Sequence, residues 1–357
     1  MQLASWIVEH PGTPMRREPR DERPGHDDVI VQVAGCGVCH TDLGFFYDGV
    51  PTRHPFPLTL GHEISGRVVE TGAAASSWLG RAVIVPAVLP CGECDACRAG
   101  HGQICPHQIF PGSDVHGGFA SHVRVPSRGL CPVPDLSRTD VNPGRLTLEM
   151  LSVIADAVST PYQAIVRSGL APGDLSVFVG AGGVGGFGVQ IAHALGAIVV
   201  AIDVDDARLA AIARCGADAT LNAVTSEFKQ LRRSIRELAD TQHIPSWRTR
   251  VFETSGTPAG QSTAFGLLGA GGYLSIVGYT PKPVEIRLSN LMAFDATVQG
   301  NWGCLPEHYP AVLDLVLSGR IAIEPFIEQR PMASINAVFE ELRNGHVARR
   351  IVLIPES

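Results

Sequence analysis

The stretch Leu175-Ser176-Val177-Phe178-Val179-Gly180-Ala181-Gly182-Gly183-Val184-Gly185 decides the fold. Its first five residues read as a buried strand, and the glycines that follow open a helical pattern over about 184–195. Gly180, Gly182 and Gly185 fill the three positions of G-x-G-x-x-G. The first permits a tight turn, the second lets the backbone approach a pyrophosphate, and the third lets helix and strand pack closely. The helix start at Gly183 and Val184 offers free N–H groups to phosphates. A second apolar run, Ile198 to Ile202, ends on Asp203, eighteen residues beyond Gly185. An acid there accepts hydrogen bonds from the adenosine ribose and repels a 2′-phosphate, so the pattern predicts NAD rather than NADP.

Outward from this turn, strand and helix keep alternating. A helix is predicted over about 207–215, and Tyr273 to Val277 and Thr297 to Gln299 extend a parallel sheet. Toward the N-terminus the texture differs. Val29 to Val33, Gly66 to Glu70 and Ala82 to Val85 are short β-branched runs broken by Gly and Pro, the pattern of a β-rich domain or a barrel-like core. The tail has helices near 309–317 and 335–344 and a strand at Arg350 to Ile354. It is too short to stand alone and is expected to pack on the first domain.

The net charge of −7 over 357 residues argues against a nucleic-acid partner and against an anionic membrane surface. The N-terminal MQLASWIVEH lacks the basic start and apolar core of an export signal, and no apolar run is long enough to span a bilayer. Nine cysteines in such a chain suggest reduced thiols and metal binding, with the cytoplasm as the default location.

Four of these cysteines are Cys91, Cys94, Cys97 and Cys105. Four thiolates satisfy a structural zinc completely and leave no open position, although a four-cysteine set also holds iron–sulfur clusters. Gly92, Gly100 and Gly102 allow the loop to wrap an ion. A second concentration of donors runs from Cys36 through Cys39-His40-Thr41-Asp42 to Gly61-His62-Glu63. One thiol and one imidazole do not complete a site, so the remaining ligand must come from elsewhere.

Cys39-His40-Thr41-Asp42, Gly61-His62-Glu63-x2-Gly66-x5-Gly72, the four-cysteine lobe and the glycine turn with Asp203 occur in one order. Over its whole length the chain resembles the zinc-dependent medium-chain alcohol dehydrogenases. Within that family it looks most like the 6-hydroxycyclohex-1-ene-1-carbonyl-CoA dehydrogenases of anaerobic benzoyl-CoA breakdown. The resemblance implies an α/β protein with two domains. A GroES-like, β-rich catalytic domain would be built from 1–157 and 303–357. A doubly wound Rossmann domain, 158–302, would be inserted into it, with the active site in the cleft. It implies NAD and two zinc ions per chain, one catalytic and one structural, and a homo-oligomer, dimer or tetramer.

Carried over by position, the resemblance makes Cys39 and His62 catalytic zinc ligands. Asp156, ahead of Ser159-Thr160-Pro161-Tyr162, stands where many relatives have Cys. Glu63 would bind zinc transiently or stand just behind the ligands. Thr41 would pass the alcohol's proton outward, and Asp42 would orient a ligand. His40 and Arg350 would reach the pyrophosphate, Arg208 the adenosine ribose, and Val277 and Gly278 the nicotinamide carboxamide. An exposed loop is the competing reading for His40. Gly44 departs from the pattern, because relatives often carry a relay His there; His54 and Tyr47 are nearby in sequence. The reaction implied is oxidation of a secondary alcohol to a ketone, on a cyclic allylic alcohol carrying a CoA thioester. Arg16, Arg17 and Arg53 would then be candidates for phosphate contacts, against the plainer reading of solvated surface charge. The alternatives are a polyol or simple alcohol dehydrogenase, an added hydratase activity on the cyclic enone, or a zinc-free quinone reductase of the same superfamily.

Overall fold

The computed structural model describes residues 2–356. They form two compact units. One comprises the chain up to Ser159 with Gly303–Gly319 and everything from Ile323 onward; the other comprises Thr160–Trp302 with Arg320–Ala322.

The first unit is built on a seven-stranded sheet. Its path runs Ile327–Pro331, Arg350–Ile354, Asp28–Gly37, Glu63–Thr71, Ala82–Val85 and Cys131–Pro132, with His122–Pro126 also pairing Asp28–Gly37. The pairings are antiparallel except for the first, between Ile327–Pro331 and Arg350–Ile354. Asp28–Gly37 is therefore flanked by three other strands. Val29, Val31, Val33 and Cys36 from it are buried with Leu58, Leu60, Ile64, Phe119 and Phe339 in one core. The tail enters this unit through Arg350–Ile354, which sets Val352 opposite Gly37 and Leu353 opposite Cys36. That pairing brings residue 350 beside the start of the Cys39 segment. A separate hairpin, Gln2–Ile7 with Arg16–Asp21, lies at the N-terminus.

The second unit is a six-stranded parallel sheet in the order Ala219–Asn222, Ile198–Asp203, Leu175–Val179, Thr249–Glu253, Tyr273–Ile276, Thr297–Gly300. The order reverses direction between Leu175–Val179 and Thr249–Glu253, the switch point at which doubly wound sheets bind ligands beyond their strand C-termini. Leu175–Val179 is buried along its full length, as a central parallel strand must be. The helix Gly183–Ala194 follows it directly. Asp205 caps the helix Asp206–Ala213 by accepting from the N–H groups of Ala207 and Arg208. The segment Arg320–Ala322 joins this unit because the buried Gln190 side chain takes both backbone groups of Ala322, at 2.8 and 3.2 Å.

Candidate active site

From three separate segments the first unit gathers a constellation of donors that could hold a metal ion. Asp28–Gly37 ends, and the chain turns at Cys39 into the helix His40–Tyr47. Cys39 is the N-cap, and its N–H donates to Asp42 Oδ2 at 2.9 Å. Asp42 Oδ1 accepts from the Gly61 N–H at 3.1 Å and stands 3.3 Å from His62 Nδ1. One fully buried carboxylate thus ties together the two segments that carry Cys39 and His62. Gly61 has φ +96°, and a Cβ there would lie 2.8 Å from the Phe119 ring and 2.9 Å from Cys36 Sγ. Cys36 is a buried free thiol packed beneath this turn rather than a metal donor.

Asp156 comes from the end of the short 3-10 helix Met150–Ala155. Its Oδ2 stands 3.6 Å from Cys39 Sγ and 3.6 Å from His62 Nε2. One donor atom from each of Cys39, His62, Glu63 and Asp156 lies within 4.8 Å of the others. His62 is 1% exposed, and neither ring nitrogen makes a hydrogen bond of good geometry. A buried imidazole nitrogen left in this state, beside a thiol and two carboxylates, fits a metal ion. Burial pulls the His62 imidazole down, but Asp42 and Asp156 outweigh it and hold it well above its usual range. Phe110 packs against the ring at 4.8 Å and shields it. Asp156 is the most exposed donor at 15%, so the constellation opens on its side.

Glu63 begins its strand and is fully buried. Arg350 grips it at both oxygens, with Nε donating to Oε2 at 2.7 Å and Nη2 donating to Oε1. Burial pushes the Glu63 carboxyl up, and the guanidinium opposes it. A Cβ at residue 37 would fall 2.0 Å from Glu63 Oε2, so only glycine admits the carboxylate there. The cofactor contact expected of Arg350 thus meets a finding: its side chain is 7% exposed and bound to Glu63.

Thr41 lies in the first turn of the helix, its Oγ1 3.7 Å from Cys39 Sγ. Gly44 is a packing glycine, since a Cβ there would meet Val50 Cγ2 at 3.3 Å. Tyr47 is occupied by an edge contact to Phe46 and by the Arg343 guanidinium over its ring. His54 Nδ1 is 2.6 Å from the Pro55 carbonyl, and the ring faces His116. His40 is exposed at the helix start.

The four-cysteine lobe is a second, separate constellation. Cys91, Cys94, Cys97 and Cys105 are free, with sulfurs 3.4 Å (Cys94–Cys97), 3.7 Å (Cys94–Cys105) and 3.9 Å (Cys91–Cys97) apart. The backbone N–H of Glu93 holds the Cys91 thiol down at about 6, which favours the thiolate a metal needs.

In the second unit the glycine turn has the shape its sequence predicts. Gly180 has φ +102°, and a Cβ there would lie 2.6 Å from the Ser255 nitrogen; one at Gly185 would collide with the Gly180 carbonyl. Gly182 caps the helix that begins at Gly183 and Val184, and a Cβ at Gly182 would have only Arg208 within 4 Å. The backbone there is open to a ligand. Asp203 stands at the end of its strand but is already engaged. It accepts from the N–H groups of Ala181 at 2.6 Å, Val204 at 2.8 Å and Asp205 at 3.0 Å. Arg208 lies 3.9 Å from Asp203 and 3.7 Å from Asp205. Val277 and Gly278 both donate to the Glu253 carbonyl.

The sequence reading missed the turn after Glu253. Thr254 Oγ1 donates to the Gly180 carbonyl at 2.7 Å, while Glu253 Oε1 accepts from Ser255 N, Ser255 Oγ and Gly256 N. This turn is the second wall of the dinucleotide loop. An acid-hydroxyl-hydroxyl-glycine run closing a strand was the available signal.

Residues 25–135 match the alcohol dehydrogenase GroES-like domain family, and residues 183–318 match the zinc-binding dehydrogenase family. The chain belongs to the zinc-binding medium-chain alcohol dehydrogenases. It is 29% identical to an alcohol dehydrogenase of Geobacillus stearothermophilus, with 93% of each chain covered. It is 26% identical to an L-threonine 3-dehydrogenase of Coxiella burnetii, with 99% of each covered. The crystal structure of galactitol-1-phosphate dehydrogenase from Escherichia coli superposes with a TM-score of 0.87 at 25% identity, covering 99% of this chain and 100% of that one. The protein is therefore a zinc-binding oxidoreductase acting on CH–OH groups.

Proposed function

We propose that this dehydrogenase oxidises a secondary alcohol to a ketone, with Cys39, His62, Asp156 and Glu63 as the donors around its catalytic zinc. The observation that carries this is the convergence of those four donors within 4.8 Å around a buried imidazole whose ring nitrogens make no hydrogen bond of good geometry. When bound, zinc lowers the pKa of the alcohol and NAD accepts the hydride. The chain's own residues do the rest. Asp42 fixes the His62 ring, and Phe110 keeps water from it. Arg350 holds Glu63 with two hydrogen bonds beside Cys39, His62 and Asp156. Thr41, beside Cys39, would accept the alcohol's proton while passing its own hydroxyl proton on, and Gly44 supplies no further relay group. The four cysteines hold the structural zinc. In the second unit Gly180 to Gly185 seat the pyrophosphate, with Asp203, Arg208, Val277 and Gly278 around the rest of the dinucleotide. The three backbone N–H groups that Asp203 accepts from, one of them Ala181 in the glycine turn, support a shape-keeping role there beside any ribose contact.

The narrower reading, a cyclic allylic alcohol on a CoA thioester, is supported by the sequence resemblance alone. Of the arginines suggested for its phosphates, Arg16 pairs with Glu9 and Glu18, and Arg53 with Asp114. The deciding assay offers NAD-loaded enzyme simple secondary alcohols, polyols, L-threonine and cyclic hydroxy-enoyl-CoA thioesters. A kcat/KM at least tenfold higher for the thioester than for the rest is the result that sustains the narrow reading; preference for a polyol or simple alcohol rejects it.

We also propose a homo-oligomer in the cytoplasm. Among the described residues no helix is long and apolar enough to cross a membrane. The edge strand Thr297–Gly300 and the adjoining helix Ser289–Phe294 leave Val298 and Met292 exposed, an apolar edge suited to a second copy. Sedimentation at micromolar concentration tests this, and a monomer would reject it.

A further inference from the structure

The proposed metal donor Asp156 sits on a piece of backbone with little regular structure of its own. Met150–Ala155 is a 3-10 helix, and Asp156 terminates it with φ −143° and ψ −58°. A ligand at such a position needs its main chain held from outside. The holding group comes from far along the sequence. Tyr309, first residue of the helix Tyr309–Leu317, buries its ring completely in the first unit. Its hydroxyl donates to the carbonyl of Ala155 at 2.5 Å, one residue before the ligand. The same oxygen accepts from the N–H of Ala87 at 3.3 Å. Ala87 N also reaches the Ala155 carbonyl directly at 3.2 Å. On the other side, Ser159 Oγ donates to the Asp156 carbonyl at 3.5 Å.

Packing alone does not require this phenol. Phe would fill the same volume, and a buried hydroxyl is costly unless both its donor and acceptor capacities are used. Both are used here, on the two backbone segments that meet beneath Asp156.

We propose that Tyr309 is a positioning residue for the metal ligand Asp156, fixing the backbone from which that carboxylate reaches Cys39 and His62. The proposal rests on reading Cys39, His62, Asp156 and Glu63 as a metal site. It assigns a role in zinc retention to a helix of the C-terminal part of the chain that contributes no ligand. The hydroxyl acts through Ala155, so its loss changes the geometry and affinity of the site without removing a donor.

The test is the Tyr309→Phe variant of the full chain, titrated with Co²⁺ after metal removal. The direct Ala87–Ala155 bond remains, so the variant is expected to fold. Wild type should take two cobalt ions, and the four-cysteine lobe serves as an internal reference. In Y309F the affinity of the mixed-donor site should fall about 10- to 100-fold, the range for partners that orient a ligand. Its visible cobalt absorption should change in intensity, while the lobe keeps its affinity and spectrum. A Val125→Ala variant, which disturbs the same unit's core where Val125 pairs Val29, at the end of Asp28–Gly37 far from Cys39, should lower the melting temperature and leave cobalt affinity alone. Y309F with affinity within about threefold of wild type and an unchanged spectrum overturns the proposal. So does an equal loss of affinity in V125A, which would make the effect one of general stability. Wild type that binds cobalt only at the lobe overturns the metal-site reading itself, a result distinct from the first two.

Discussion

The two groups of proposed metal donors in this chain are built on opposite plans. The lobe takes four donors of one kind from residues 91–105, a single loop that carries them wherever it goes. The other takes a thiol, an imidazole and two carboxylates from positions 39, 62, 63 and 156, and their meeting depends on the whole sheet. Four thiolates close a tetrahedral zinc and leave nothing to bind substrate. The mixed set, opening beside Asp156, includes harder oxygen donors and leaves Glu63 committed to Arg350. A site that must only hold together is local and uniform. A site that must exchange a ligand at each turnover is assembled over distance and supported by buried partners such as Asp42.

The largest effects should separate the two sites cleanly. Cys39→Ser should lower turnover by more than about 100-fold, beyond what the loss of an orienting partner causes, and bound zinc should fall from about two to about one per chain. Cys97→Ser should also cost one zinc, but turnover per folded molecule should stay near wild type while the melting temperature falls, because binding energy at a closed site is folding energy. Zinc analysis with kinetics and calorimetry on the same samples checks both. Comparable loss of turnover in C97S at a temperature where it remains folded would break the division of labour. Next in size is Arg350→Met. It leaves Glu63 buried without its cation, and urea unfolding should show a loss of about 3–5 kcal/mol. The double variant Glu63→Gln with Arg350→Met should cost less than the single one.

The same contrast explains what was legible in the sequence. The lobe and the glycine turn each lie within one short stretch, so spacing alone carried them. Leu175–Val179, Ile198–Asp203 and Tyr309–Leu317 have apolar patterns that their buried surroundings enforce. The strand Arg16–Asp21 reads Arg-Arg-Glu-Pro-Arg-Asp and has no such pattern. Among the described residues it pairs only with Gln2–Ile7, so it lies at the margin of a two-stranded ribbon where charges and a proline are tolerated. Ala219–Asn222 and Thr249–Glu253 are short, partly polar strands recognisable only once their neighbours exist. Within the site, residue types were legible and partners were not. Glu63 with Arg350, and Tyr309 with Ala155, are separated by 287 and 154 residues and meet only through the fold.

The two sites should also differ in their response to pH. His62 must be neutral to bind a metal, and in the metal-free chain its neighbouring carboxylates hold the imidazole well above its usual range. The sign follows: as pH falls through that raised value His62 takes a proton, and zinc affinity of the mixed site drops by about tenfold per pH unit for this group alone. The lobe releases protons from thiols, among them Cys97, which burial pushes up to about 12, against Cys91 at about 6. Competition with a chromogenic chelator between pH 6 and 8 measures both slopes, and a pH-independent affinity at the mixed site would contradict His62 as a ligand.

The smallest effect is expected at Gly44, on the helix that carries Thr41. Its absent side chain invites the thought that the helix was left open for proton transfer. The geometry gives a plainer cause, because a Cβ would come within 3.3 Å of Val50. Alanine gains about 0.5–1 kcal/mol of helix propensity over glycine, and the tight contact with Val50 takes some of it back. Gly44→Ala should therefore change stability by no more than about 1 kcal/mol and leave kcat/KM within twofold of wild type. Gly37, on the other side of Cys39, gives the internal control. A methyl there would strike Glu63 Oε2 at 2.0 Å, so Gly37→Ala should disturb metal retention where Gly44→Ala does not. If Gly44→Ala instead slows turnover while zinc content stays at two per chain, the open space at residue 44 serves the proton's path, and packing against Val50 is not its reason.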